Sequence, residues 1–216
     1  MLGLGRATAR PEMVAFDIID TMFDIAPLEG RLAALGLPAG LHRRLYAEAL
    51  RDSMALAVVN GFAPFTDLMR RALATIVAEH GLVRSDADLE RALTIMRELP
   101  PHPDAGEALD TLRNAGIRVF ALSNGAASAT RGLLERAGLQ GFVEEVLSVE
   151  SVRLAKPRAE VYGYAVQTAG VAPDAAMLVA CHPWDVHGAR SAGLRGGYVA
   201  RGKPFPDTMG APDLAA

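Results

Sequence analysis

The sequence predicts an α/β fold: a doubly wound, Rossmann-like parallel sheet with an all-helical subdomain inserted after its first strand. Three observations carry this reading. Short apolar runs close on polar clusters, helical patterns alternate with those runs, and one long stretch breaks the alternation.

The first run is residues 13–19 (MVAFDII), continuous enough in apolar character for a strand buried on both faces. Residues 117–122 form a second, closing on Ser123-Asn124-Gly125. Residues 177–180 form a third, closing on Cys181-His182-Pro183-Trp184-Asp185. Residues 146–149 and 198–200 are weaker strand candidates. Between them, residues 105–114, 127–137, 160–169 and 186–192 read as helices, each followed by a glycine (Gly116, Gly138, Gly170, Gly193) where a left-handed C-terminal cap belongs.

Residues 26–100 break the rhythm. Leu68, Met69, Ala72, Leu73, Ile76 and Val77 make one helical stripe, with Thr66 as the expected N-cap and Gly81 as the stop. Ser85-x-x-Asp88 is a capping-box pattern opening a stripe of Leu89, Ala92, Leu93 and Met96. Leu41, Leu45 and Ala49, with the run 55–59, predict a longer helix before them. The predicted division is a sheet-bearing core of residues 1–25 plus 101–216 and a helical cap of residues 26–100. The Pro- and Gly-rich tail after Arg201 reads as a wrapped or loose end.

Composition narrows the function classes. The 216 residues are half hydrophobic, the net charge is −3, and the basic residues are dispersed, so no stripe for nucleic acid is present. A lone cysteine, Cys181, excludes a disulfide framework. No apolar run reaches the roughly 18 residues of a membrane span, and the N-terminus lacks the apolar stretch of a signal peptide. The expectation is a cytoplasmic protein acting on a small molecule, with no nucleic-acid or membrane partner.

The chemistry lies at the ends of the strands. Asp17 with Thr21 closes the first run, Ser123 with Asn124 the second and Asp185 the third, while Lys156 precedes the helix 160–169. Parallel strands gather such residues at one edge, where open α/β sheets bind ligands. A carboxylate facing a lysine stays ionised and can act as a nucleophile. An ammonium within about 4 Å contributes about 4 kcal/mol at an effective dielectric near 20, enough to offset a desolvation shift of a few pH units. On this reading Lys156→Ala folds normally and loses turnover.

The ordered motifs FDIIDTMFD, ALSNGA, AKPRAEVY and HPWDVHGARSAG resemble the four motifs of the haloacid dehalogenase superfamily, over nearly the whole chain. Lys156-Pro157 followed by Val161-Tyr162, the pair Trp184-Asp185, and Tyr198-Val199-Ala200-Arg201-Gly202 are similar to the type II L-2-haloacid dehalogenases. The resemblance implies in-line attack of Asp17 on a carbon bearing halogen, and water then cleaves the resulting ester. It implies that Lys156 balances charge, that Asp185 orients Lys156 and helps activate water, and that Ser123 and Thr21 bond Asp17 or the substrate carboxylate. Asn124 would cradle the halide, Tyr162 would close the wall near Lys156, and the protein would form a homodimer.

Two absences separate this pattern from the superfamily's phosphatases. Their second aspartate, the acid for the leaving group, is Ile19 here. Their further magnesium-holding carboxylate, four residues before Asp185, is Cys181. The expectation is therefore no cofactor, no metal, and a short 2-haloalkanoate as substrate, fluoroacetate included. The alternatives are cleavage of a strained carbon–nitrogen bond at the alpha carbon, magnesium-dependent phosphatase activity, and a non-enzymatic role. The sequence also departs from the family. Asp20 stands where a glycine is usual, and Ala180-Cys181-His182 replaces Ser-x-Asn, so His182 becomes a candidate donor near the nucleophile or a structural histidine. The family's substrate-gripping arginine aligns with Tyr46, counting back from Phe65; Arg44, two residues away, is nominated for the role.

Overall fold

The computed structural model describes residues 10–216. Six parallel strands form one sheet in the order β3-β2-β1-β4-β5-β6. They are β1 (Met13–Phe16), β2 (Arg118–Ser123), β3 (Glu145–Ser148), β4 (Ala176–Ala180), β5 (Arg195–Tyr198) and β6 (Leu214–Ala215). β1 is central, pairing Met13 with Arg118 of β2 on one side and with Ala176 of β4 on the other. Alternate side chains leave the two faces of the sheet. Met13 and Ala15 pack with Leu122, Leu178 and helices α7 (Ala159–Ala169) and α8 (Pro183–Ser191). Val14 and Phe16 pack with Val119, Met177 and helices α5 (Ala105–Asn114) and α6 (Ala127–Arg136). Burial on both faces is why β1 reads as an unbroken apolar run.

The structure sharpens the sequence reading most in three places. β1 ends at Phe16, so Asp17 stands in the turn beyond the strand rather than inside it. β5 is Arg195–Tyr198 rather than 198–200, because its two glycines hide it from any apolar pattern. Gly196 and Gly197 lie so near the Val186 and Val179 side chains that a Cβ would stand 2.7 and 3.1 Å from them. The tail does not hang loose. Leu214–Ala215 adds a sixth, parallel strand beside β5.

Between β1 and α5, residues 26–100 contain helices and no strand. These are α1 (Leu28–Ala34), α2 (Leu41–Val58), α3 (Phe65–Glu79), α4 (Asp86–Leu93) and a 3₁₀ turn, Thr94–Arg97. They bury a core of their own, led by Leu28, Leu45, Leu73 and Ile76. The Ser85–Asp88 capping box is formed, each residue's side chain taking the other's backbone N–H. Thr66 is not an N-cap: α3 begins one residue earlier, at Phe65. Ile19 and Trp184, which belong to the sheet-bearing part, pack against this second core. No helix among the described residues is long and apolar enough to cross a membrane.

Candidate active site

The ends of β1, β2 and β4 converge on a buried charge cluster. Asp17, in the turn after β1, is 4% exposed; Lys156 and Asp185 are both 0% exposed. An ammonium has three N–H bonds to give. Lys156 Nζ gives one to Asp17 Oδ1 at 2.8 Å, one to Asp185 Oδ2 at 2.6 Å and one to the Leu122 carbonyl at 3.0 Å. Its backbone N–H donates to Asn124 Oδ1 at 3.0 Å, so the turn after β2 holds the lysine in register. Thr21 Oγ1 donates to Asp17 Oδ2 at 2.6 Å and accepts from the Cys181 backbone N–H at 3.0 Å, which fixes the hydroxyl's direction.

Tyr162 and Asp185 depart from expectation together. Tyr162 does not close a substrate wall: it is fully buried behind Asp185, and its hydroxyl donates to Asp185 Oδ1 at 2.6 Å. Asp185 therefore has both oxygens engaged, one by Lys156 and one by Tyr162, and no exposed surface from which to activate water. It serves as the anchor of the lysine. Gly188, one turn further along α8, allows this packing, since a Cβ there would stand 2.7 Å from Tyr162 Oη and 2.5 Å from Pro157 Cβ.

The electrostatics follow from burial and partners. Burial pushes Asp17 upward, but the Lys156 charge, His182 and the hydrogen bonds from Lys156 and Thr21 together hold it below the ordinary aspartate value. Burial and the facing Asp17 charge hold Asp185 above that value despite Lys156. Burial alone would lower Lys156, yet the two carboxylates raise it, so it stays an ammonium. Burial and the Asp17 charge push the Cys181 thiol up to about 12. A neutral thiol at that position, with Ile19 two residues after Asp17, does not make the hard oxygen set magnesium prefers. Elsewhere among the described residues, ligand atoms of Asp20, Asp24 and His102 lie within 4.8 Å of one another and could hold a small cation, outside the Asp17–Lys156–Asp185 cluster. Asp20, in place of the expected glycine, has φ +67°, a left-handed turn that aspartate tolerates better than most residues.

Other expected site residues resolve individually. Ser123 does not bond Asp17: its Oγ accepts the Gly125 N–H at 2.9 Å and tightens the turn after β2. Ser123 and Ile19 do line a cleft of about 680 Å³ between that turn and the helical segment, together with Arg70, Met96, Arg97 and Thr130. His182 is near Asp17, its Nε2 3.6 Å from Asp17 Oδ2 and 3.1 Å from the Ile19 carbonyl. Arg44 is a correction. Its side chain is 42% exposed and paired with Glu48 and Glu79, on the outer face of α2. Tyr46, the aligned position, is the one buried at the site. Its ring stacks on His182 at 5.9 Å, and His182 stacks on Trp184 at 5.3 Å. The signal for Tyr46 was the count back from Phe65, whose ring packs edge-on against it at 5.6 Å.

Comparisons with known proteins point to one family. A family model described as haloacid dehalogenase-like hydrolase matches residues 11–193. The chain is 26% identical to haloacetate dehalogenase H-2 of Moraxella sp. (strain B), over 94% of this chain and 92% of that one. It is 30% identical to an (S)-2-haloacid dehalogenase of Xanthobacter autotrophicus, over 87% of this chain and 74% of that one. A solved structure of the L-2-haloacid dehalogenase from Xanthobacter autotrophicus superposes with a TM-score of 0.85 at 25% identity, covering 95% of this chain and 94% of that one.

Proposed function

Because the chain belongs to the haloacid dehalogenase-like hydrolase family, we propose that it hydrolyses the carbon–halogen bond of a short 2-haloalkanoate. The observation that carries this reading is an ionised Asp17 on a fully engaged Lys156, beside positions that lack the phosphatase acid and the magnesium carboxylate. A halide needs no proton to leave, so Ile19 is no handicap to displacement at carbon. Asp17 attacks the carbon in line, halide departs on the opposite side, and an ester remains on Asp17. Lys156 keeps Asp17 ionised beforehand and faces the charge that builds on Oδ1 when water attacks the ester carbonyl. Asn124 keeps Lys156 in place through its backbone and is available to the halide through its amide nitrogen. The 680 Å³ cleft at Ile19 and Ser123 supports entry of the acid between the sheet edge and the helical segment, which acts as the cap.

The test is halide release from chloro-, bromo- and fluoro-acids, with and without chelator. The expected result is release from 2-haloalkanoates that chelator leaves unchanged. Phosphate-ester hydrolysis that chelator abolishes, exceeding any halide release, would overturn the reading.

A further inference from the structure

We infer that His182 is the acid that protonates the product hydroxyl as it leaves Asp17, held for that step between the rings of Tyr46 and Trp184. The inference rests on the proposed ester chemistry and assigns a proton that this chemistry leaves unassigned. Asp185 cannot handle it, since Lys156 and Tyr162 occupy its oxygens. Lys156 cannot, since its three N–H bonds are committed to Asp17, Asp185 and the Leu122 carbonyl.

The two oxygens of Asp17 differ. Oδ1 faces Lys156, whereas Oδ2 faces Thr21 and His182. Attack through Oδ2 leaves Oδ1 as the ester carbonyl, with the ammonium 2.8 Å away to receive developing negative charge. Oδ2 then becomes the oxygen that must depart in the second step. Two donors are near it. Thr21 is the closer, but its hydroxyl is about as weak an acid as the departing alcohol, so its proton makes that oxygen no better a leaving group, and its own oxygen accepts the Cys181 N–H. His182 Nε2 lies 3.6 Å away and carries a hydrogen, because its other neighbour, the Ile19 carbonyl, can only accept. A contact of this length in the unliganded site can close when the site fills.

The rings supply the aim. His182 is flanked by Tyr46 from α2 and Trp184 from α8, with interplanar angles of 30° and 19°. Its side chain is 12% exposed, so it can exchange protons with water. The groups facing it are Asp17, Cys181 beside it and the neutral phenol of Tyr46, with Asp20, Lys156 and Asp185 beyond. Tyr46 and Trp184 are positioning residues.

The step balances as follows. Water adds to Cγ of the Asp17 ester, gives up one proton to solvent, and leaves the negative charge on Oδ1. The Cγ–Oδ2 bond breaks with its electron pair on Oδ2. Oδ2 takes the proton from the His182 imidazolium and leaves as the hydroxyl of the 2-hydroxy acid. The released proton recharges His182, and Asp17, left as a carboxylic acid, ionises. Each turnover consumes one water and yields one halide and one proton.

The experiment mixes purified wild type and His182→Asn with 2-chloropropionate, and reads halide release, the mass of the Asp17 peptide and the pH profile. In the variant, one equivalent of halide per site should appear in a burst, followed by turnover slowed about a hundredfold, the scale of acid catalysis. The ester mass should persist on Asp17, and the decline of the wild-type rate toward alkaline pH should vanish. Tyr46→Leu should slow ester breakdown and leave the burst, and Tyr46→Phe, which keeps the ring, should slow it less. His182→Gln gives a second variant should the first not fold. A variant turning over at the wild-type rate with no ester, or one that loses the burst as well, would overturn the assignment and leave the dehalogenase reading standing. Absence of halide release from the wild type on every haloacid would overturn both.

Discussion

On the sheet side of Asp17, the polar atoms of the charge cluster are fully paired. Lys156 gives its three hydrogens to fixed acceptors, and Asp185 takes one from Lys156 and one from Tyr162 with no surface exposed. On the helical side, the contacts are flat rings. Tyr46, His182 and Trp184 stack on one another, and the cation nearest in sequence to Tyr46, Arg44, turns outward to Glu48 and Glu79. The difference separates two kinds of robustness. A paired buried charge fails abruptly when a partner goes, because the remaining charge is stranded in a low dielectric. A ring stack fails gradually, since another flat or apolar side chain recovers part of the contact.

Removing Lys156 should break the sheet side most severely. Its burial between two carboxylates corrects the expectation of a harmless fold: Lys156→Ala leaves Asp17 and Asp185 facing each other, at a cost of about 3–5 kcal/mol in stability. Denaturant unfolding at neutral pH measures this, and turnover should fall by orders of magnitude. The pH dependence has a definite sign. Asp17 is held below its ordinary value, so its contribution to stability is present above that value and is lost as pH falls through the depressed one. Asp185, held above its ordinary value, acts oppositely: its protonated form is favoured in the fold, and that contribution fades as pH rises through the raised value. The acidic limb of wild-type activity should accordingly lie below the usual aspartate range. In Lys156→Ala it should move up; an unmoved limb would mean that Lys156 does not hold Asp17 ionised.

A milder break is Tyr162→Phe, which removes the phenol's short hydrogen bond to Asp185 Oδ1 and its longer one to the Asp185 carbonyl. One buried oxygen then lacks a partner, at a cost of about 1–3 kcal/mol. Turnover should drop about tenfold as Asp185 holds Lys156 less firmly, since 1.4 kcal/mol is a factor of ten. Unchanged stability and rate would mean that a water replaces the phenol without loss. The smallest effect is expected at Arg44. Arg44→Ala should leave turnover and KM for every haloacid unchanged, because its charge faces solvent. A raised KM would return Arg44 to the substrate's path and undo the contrast drawn between the two sides.

The sheet and its buried charge cluster were legible because burial on both faces writes itself as unbroken apolar runs, and Asp17 follows β1, Lys156 precedes α7 and Asp185 lies in the first turn of α8. β5 was misplaced because Gly196 and Gly197 carry no hydrophobic signal; their requirement is close packing against Val186 and Val179. Tyr162 was placed near the right group but on the wrong side of it, since spacing along α7 says that it meets motif four without saying which face of Asp185 it meets. Arg44 was chosen for its charge, whereas position on α2 decided the matter. The helix directs residue 46 inward and residue 44 outward, and the expected chemistry gave way to a ring. Ser123 and Thr21 look alike as hydroxyls at strand ends, and only coordinates separate the one that bonds Asp17 from the one that tightens its own turn.

Gly188 bears on how this enzyme can drift. It has no functional group and takes no part in any proton or electron movement, yet any side chain there would intrude on both Pro157 and the Tyr162 hydroxyl. A survey of substitutions would therefore score it as harshly as Asp17, and would draw the active site one helix deeper than its chemistry extends. Variation that retunes the substrate has to enter from the opposite direction, through Tyr46, Phe65 and the walls of the cleft, where a changed outline costs packing and leaves the charges matched. The surroundings of Asp17 are thereby closed to gradual change from behind and open to it from in front.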